Sequence, residues 1–67
     1  MAVWHEHFFS PLCNEDDPQQ RGRFDAVQDE DGTIYVLDVG PWTRVKICAT
    51  QEDACAEAKR LAEEWQP

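Results

Sequence analysis

The sequence predicts an α+β fold: a three-stranded antiparallel meander with one C-terminal helix packed on one face and an N-terminal apolar segment on or beside the other. Residues 22–49 alternate apolar and polar side chains between glycine-containing turns, which is typical of hairpin-connected strands. Residues 50–66 instead repeat apolar side chains at helical spacing. We therefore expect a single domain over residues 1–67, with an anchor and acidic loop in residues 1–21 before the sheet and the helix.

The N-terminal segment AVWHEHFF is rich in large apolar residues but too short for its period to distinguish a strand from a helix. We interpret it as an apolar anchor that covers the second face of the sheet. It ends at Ser10-Pro11, because the residue before a proline is disfavoured in a helix. The polar, aperiodic stretch from Asn14 to Gln20 predicts a loop, either a solvated connector or an acidic contact patch.

The predicted strands cover residues 23–28, 33–39 and 42–49. The loop DEDG is expected to form a four-residue hairpin, and Gly40-Pro41 a two-residue turn with glycine first. These turns pair Gln28 with Thr33 and Val39 with Trp42.

This register predicts two apolar faces, since side chains alternate along a strand. The face expected to receive the helix is aliphatic, with Asp25 at its edge: Val27, Ile34, Val36, Val45 and Ile47. The opposite face is more aromatic: Phe24, Ala26, Tyr35, Leu37, Val39 and Trp42, bordered by Arg44, Lys46 and Cys48. A second apolar face needs a cover, either the N-terminal anchor or a binding partner.

The helix is the most strongly predicted element. Thr50 followed three residues later by Asp53 is a capping pattern, in which the hydroxyl and the carboxylate each satisfy a free backbone N–H. Behind it the apolar residues form one stripe, with small residues that allow close approach to a sheet: Ala54, Ala58, Leu61, Ala62 and Trp65.

Charge limits the classes of partner. The chain has 14 acidic residues against 6 Lys and Arg, a formal net charge of −8. This charge disfavours direct binding to nucleic acid or to an anionic membrane and favours a basic protein surface. The sequence has no apolar run of membrane-spanning length and no basic secretion signal at its start. We expect a monomeric, cytoplasmic protein of a host cell.

The cysteines and histidines do not predict a redox or metal site. Three cysteines are an odd number, and the predicted register puts Cys48 and Cys55 on opposite sides of the sheet. His5 and His7, with Cys13 and Cys48, form the one metal-like grouping, but their spacing matches no zinc pattern. We therefore expect free thiols, no metal and no cofactor.

No catalytic arrangement is evident in the sequence. The acids of the first hairpin lie on an exposed tip, whereas carboxylate catalysis needs one acid desolvated beside another. The 3 glycines are isolated and each is explained by a turn, so no phosphate-binding loop is present. The sequence therefore predicts a protein that is not an enzyme.

The order of three strands and the helix TQEDACAEAKRLAEEW resembles double-stranded-RNA-binding domains and the N-terminal domains of phage integrases, but those proteins are basic where this chain is acidic. The hairpin RFDAVQDEDGTIYVLDV, with the small size and low pI, resembles the small acidic phage or mobile-element proteins of the anti-CRISPR type. That resemblance, of size, charge and hairpin style, implies an inhibitor that occupies a nucleic-acid-binding surface.

Two functions follow as hypotheses. The first is a non-enzymatic acidic inhibitor that mimics nucleic acid and binds a basic surface of a nucleic-acid-binding effector complex. The alternative is a small protein–protein interaction or assembly module that uses the aromatic sheet face. The candidate binding residues for the first are Glu15, Asp16, Asp17, Asp29, Glu30, Asp31, Glu52, Asp53 and Glu57. For the second they are Tyr35 and Trp42.

Overall fold

The computed structural model describes residues 1–67 and has four strands and one helix. Their bounds are β1 Ala2–Phe9, β2 Arg23–Asp29, β3 Ile34–Asp38, β4 Thr43–Cys48 and α1 Gln51–Glu64. The strands form one antiparallel sheet in the order β1-β2-β3-β4, and α1 packs on one face of it. The α+β class and the C-terminal helix are confirmed, and the predicted count of three strands is corrected to four.

The additional strand is the N-terminal segment. β1 pairs with β2 from Ala2 opposite Asp29 to Phe9 opposite Arg23, with a register shift at Val3. Its backbone groups are thus satisfied by the edge of β2, which an anchor lying across a sheet face could not achieve. Trp4 and Phe8 pack on the helix side of the sheet, and Val3 and Phe9 are exposed. The prediction that this segment covers the helix-free face is therefore wrong.

The first hairpin differs from the predicted one by a single residue. Asp29 belongs to β2, its N–H donates to the Thr33 carbonyl at 3.0 Å, and Gly32 has a φ of 90°. The loop therefore contains three residues rather than four, and Gln28 pairs with Ile34 instead of Thr33. A shift of one residue between two strands exchanges the faces of one of them.

That exchange corrects the predicted core. The buried residues beneath the helix are Phe24, Ala26 and Val36, together with Ala54, Ala58 and Ala62 of α1. Partly buried side chains surround them: Trp4, Phe8, Ile34, Cys48, Cys55, Leu61 and Trp65. Val27 lies on the opposite, helix-free face, in a second cluster with Tyr35, Leu37 and Val39. The prediction that Val27 faces the helix and that Phe24 and Ala26 face away from it is wrong.

The register of β4 is as predicted beside its turn, with Asp38 opposite Thr43 and Leu37 opposite Arg44. A bulge at Val45 then shifts the pairing by one residue, so that Ile47 lies opposite Tyr35 on the helix-free face. Val45 and Ile47 are exposed, and the prediction that they pack under the helix is wrong.

The same bulge turns two other side chains of β4 toward the helix. Lys46 lies opposite Val36, and Cys48 lies opposite Ile34. They were predicted to border the opposite face together with Arg44. Because α1 lies mainly over β2 and β3, β4 forms an edge of the sheet that the helix covers little.

The helix begins as predicted. Thr50 is its N-cap, and its hydroxyl accepts from the Asp53 N–H at 3.0 Å, although the reciprocal bond from the Thr50 N–H to the Asp53 carboxylate is absent. At the other end Trp65 packs against Gly22, which has a φ of 92°. The helix, with 14 residues, has neither the length nor the apolar character needed to cross a membrane.

Candidate functional site

Two of the three predicted acidic clusters lie at the same end of the sheet. β2 runs toward the first hairpin, and the helix starts beside it, since the Gln51 side-chain amide donates to Gln28 Oε1 at 2.7 Å. The N-terminal strand starts there too, with Ala2 opposite Asp29. The hairpin and the helix start together bring five acids to this region, which we call the acidic end: Asp29, Glu30, Asp31, Glu52 and Asp53.

The acids of this region differ in what binds them. Arg44 donates to Asp29 at 3.0 Å. Asp31 accepts from the Thr33 N–H at 2.9 Å, and this hydrogen bond lowers the pKa of the Asp31 carboxyl. Glu30, Glu52 and Asp53 are exposed, and their carboxylates accept no hydrogen bond within the protein. The acidic end therefore presents three uncompensated carboxylates.

The third cluster, Glu15 to Asp17, lies at the opposite end of the sheet, in the loop after β1. Asp17 is bound to the Arg21 guanidinium at 2.7 Å and also accepts from the Gln19 N–H. The Arg21 bond is the main cause of a lowered pKa at Asp17. Glu15 and Asp16 are exposed. This cluster cannot share one compact interface with the acidic end.

Glu57 is separate from both groups. It lies on the side of α1 above β4, where Lys46 Nζ is 2.9 Å from its carboxylate and Arg60 also binds it. These two hydrogen bonds, that from Lys46 first, lower the pKa of Glu57. Its charge is therefore compensated by two cations.

The two predicted aromatic residues have opposite environments. Tyr35 has 8% of its surface exposed, and the Arg44 guanidinium lies 4.0 Å from the centre of its ring. Its hydroxyl donates to Asp29 at 3.3 Å, and burial is the first cause of its raised pKa. Trp42 is 73% exposed and has a φ of 58°, in the left-handed region. Of the two, Trp42 is the one that a partner can reach.

Ionic contacts on the helix-free face were not predicted, and the prediction that Asp25 lies at the edge of the helix face is wrong, since Asp25 pairs with Leu37. Asp25 is buried there, and the Arg23 guanidinium binds both of its carboxylate oxygens, at 3.0 and 2.9 Å. His7 Nδ1 lies 3.0 Å from Asp25 and 2.8 Å from Arg23. Because Arg23 pairs with Asp25 and Arg44 with Asp29, the helix-free face has balanced charges, and the excess of acids lies elsewhere. The alternation of charge along RFDAV was the one signal in the sequence.

Cys48 and Cys55 both lie on the helix side of the sheet, which corrects the prediction that the sheet separates them. Cys55 Sγ donates to Glu6 of β1 at 3.5 Å, whereas Cys48 belongs to β4 at the opposite edge. All three cysteines are free. Burial, followed by the bond to Glu6, raises the pKa of the Cys55 thiol, which reduces its nucleophilic thiolate form.

The histidine pair was the one metal-like feature of the sequence. The rings of His5 and His7 are 4.8 Å apart, but no group of three or more His, Cys, Asp or Glu side chains has an arrangement suited to a metal ion.

No family model matches this chain, and neither the curated proteins nor the solved structures contain a match. Inference about function therefore starts from the chain's own residues: three free carboxylates at the acidic end, and an exposed tryptophan at the other end of the sheet.

Proposed function

We propose that the protein is a non-enzymatic acidic inhibitor that binds a basic, nucleic-acid-binding surface of a partner protein through its acidic end. The observation that carries this proposal is the convergence of Glu30 with Glu52 and Asp53, which are more than twenty residues apart in the sequence. None of these carboxylates forms an ion pair with a Lys, Arg or His side chain of the protein. Like charges brought together repel, and a cationic partner surface removes that cost.

The net charge of −8 supports the same class of partner. A protein of this charge approaches a basic groove faster than a neutral one and competes with phosphates for the same Lys and Arg side chains. The acidic end requires no cleft and no bound cofactor for this role, because the protein would act by occupying the partner's surface and not by catalysing a reaction.

The test begins with the identity of the partner. The purified chain is used as bait in a nuclease-treated lysate of its source cell, and each captured protein is purified. The chain is then titrated into a complex of that protein with labelled DNA or RNA at physiological salt. We expect it to displace the nucleic acid, and less effectively as salt rises, because exposed charges are screened.

A pair of matched variants localises the effect. Glu30→Gln with Glu52→Gln removes two charges from the acidic end, whereas Asp16→Asn with Glu63→Gln removes two exposed charges elsewhere. We expect the first pair to weaken displacement about tenfold and the second to leave it nearly unchanged. Equal displacement by the parent and both variants would contradict the proposal.

A further inference from the structure

Two concave regions adjoin at the end of the sheet opposite the acidic end. One is about 480 Å³ and lies between the acidic loop and the second hairpin, with Pro18, Gln20, Val39 and Trp42 in its walls. The other is about 550 Å³ and lies beside the end of β1. Gln20 and Arg23 line both regions, which therefore lie side by side across these two residues; we call the two regions together the groove. Both volumes are within the range of ligand-binding clefts.

This groove holds the two exposed aromatic side chains of the protein. Trp42 lines one half and is 73% exposed, and Phe9 lines the other half and is 58% exposed. The remaining Trp, Tyr and Phe side chains are buried or half-buried. Exposed aromatic side chains, Trp above all, are often the residues that anchor a protein partner.

The groove also contains both non-glycine residues with a positive φ, Gln20 at 54° and Trp42 at 58°. Left-handed backbone is unfavourable for residues with a side chain and persists where the surrounding structure imposes it, often at binding sites. The left-handed backbone and the exposure of the aromatic side chain are independent observations, and both apply to Trp42.

The centre of the groove is polar but not cationic. The charge of Arg23 is balanced by Asp25, and the third nitrogen of its guanidinium, Nη1, donates to Gln20 Oε1. The Gln20 oxygen is thus used, while its amide N–H groups have no partner within the protein. An amide donor beside two aromatic rings suits a peptide carbonyl better than an anion. Glu15 lines the Phe9 half and adds a negative charge to the rim.

The dimensions fit an extended chain. The groove crosses from β1 to the turn between β3 and β4, a distance of two to three strand spacings, or roughly 10–15 Å. About four residues of extended peptide span that length. A second copy of this chain is disfavoured as the occupant, because each copy carries a charge of −8. A segment bearing Lys or Arg complements that charge.

We propose that the Phe9–Trp42 groove binds an extended, Lys- or Arg-bearing segment of a partner protein. The aromatic rings hold its apolar or cationic side chains, and the Gln20 amide donates to its backbone. The groove lies at the opposite end of the sheet from the acidic end, so this proposal stands or fails separately from the proposed function.

The probe is a library of random linear peptides displayed on phage and selected against the full chain. Enriched sequences are synthesised with a fluorescent label and titrated by anisotropy at physiological salt. We expect enriched peptides to carry Lys or Arg beside an apolar residue. Enrichment of acidic peptides, or of no sequence above the background of an unrelated acidic protein, overturns the proposal.

Three variants assign the binding site. Trp42→Gly suits the left-handed backbone, and Phe9→Ser changes an exposed side chain, so both are expected to remain folded. Each should weaken peptide binding about 30-fold, the effect of losing an interface anchor. Ile47→Ser removes an equally exposed apolar side chain outside the groove and should change affinity little.

The double variant Glu30→Gln with Glu52→Gln tests independence from the acidic end and should also leave peptide affinity little changed. Loss of binding with Ile47→Ser, or its retention with Trp42→Gly, overturns the assignment to this groove.

Discussion

The two hairpins that connect β2, β3 and β4 use a similar turn with different residues. In the first, the Gly32 N–H donates to the Asp29 carbonyl at 2.9 Å, and Gly32 has a φ of 90°. In the second, the Trp42 N–H donates to the Val39 carbonyl at 3.2 Å, and Trp42 has a φ of 58°. The same left-handed position thus holds glycine in one hairpin and an exposed tryptophan in the other.

The aspartates that end β2 and β3, Asp29 and Asp38, also differ in what binds them. Asp29 is bound by Arg44 and by the Tyr35 hydroxyl. Burial raises the pKa of Asp38, and no cation binds it. The first hairpin thus has glycine at its left-handed position and an ion-paired aspartate, whereas the second has tryptophan at that position and an aspartate without a cation. Left-handed backbone at a residue with a side chain persists most often at functional sites, so the positive φ of the exposed Trp42 supports a role for Trp42 in contact with a partner.

The largest loss of stability is expected at a third left-handed position, Gly22. There the backbone conformation disfavours any side chain, and neighbouring atoms leave little space for one. A Cβ at Gly22 would lie 2.9 Å from Trp65 Cε3, whereas a Cβ at Gly32 meets nothing within 4 Å. We expect Gly22→Ala to lower the free energy of unfolding by about 3 kcal/mol and Gly32→Ala by about 1–2 kcal/mol. Urea denaturation measures both. Equal losses would show that Trp65 moves aside at no cost.

Trp42→Gly should not lower the free energy of unfolding, in contrast to Gly32→Ala. It removes a left-handed strain of about 1–2 kcal/mol, but glycine makes the unfolded chain more flexible by about 0.5–1 kcal/mol. We therefore expect the free energy of unfolding to be unchanged or raised by up to about 1 kcal/mol, measured in the same denaturation series. A loss above about 1 kcal/mol would mean that Trp42 packs in the folded protein and that its exposure carries no functional information.

The sequence predicted the helix well and the faces of the sheet poorly, for one physical reason. The helix has its own signals, the Thr50 cap and the alanine stripe, and both lie within a few residues of one another. The faces depend on the register of the strands. That register differs from the predicted one because Asp29 belongs to β2 rather than to the loop, and because β4 has a bulge at Val45. A bulge has no clear signature in a strand such as TRVKIC, where both faces carry large side chains.

The candidate site was predictable where it depended on composition. The acidic hairpin and the acidic helix start are visible in the sequence, but their position at one end of the sheet follows from topology. Phe9 and Gln20 were not predicted as groove residues, because their proximity to Trp42 requires the pairing of β1 with β2. A positive φ at Trp42 was also unexpected, since Gly40 in the same turn is the residue that suits it.

The smallest effect concerns the aspartates of the two hairpins. Burial raises the pKa of Asp38 above its ordinary value of 3.8, so its charged form disfavours folding. That cost is absent below the ordinary value and develops as pH rises through the interval up to the raised pKa. Asp38→Asn should therefore raise the free energy of unfolding at neutral pH, by less than about 0.5 kcal/mol because the group is largely hydrated, and the gain should vanish in acid.

Asp29→Asn, which breaks the Arg44 pair, should instead lower the free energy of unfolding by about 0.5 kcal/mol. Thermal melts of the parent and both variants across this pH range measure the difference, and a change of the same sign in both would remove the electrostatic contrast between the hairpins.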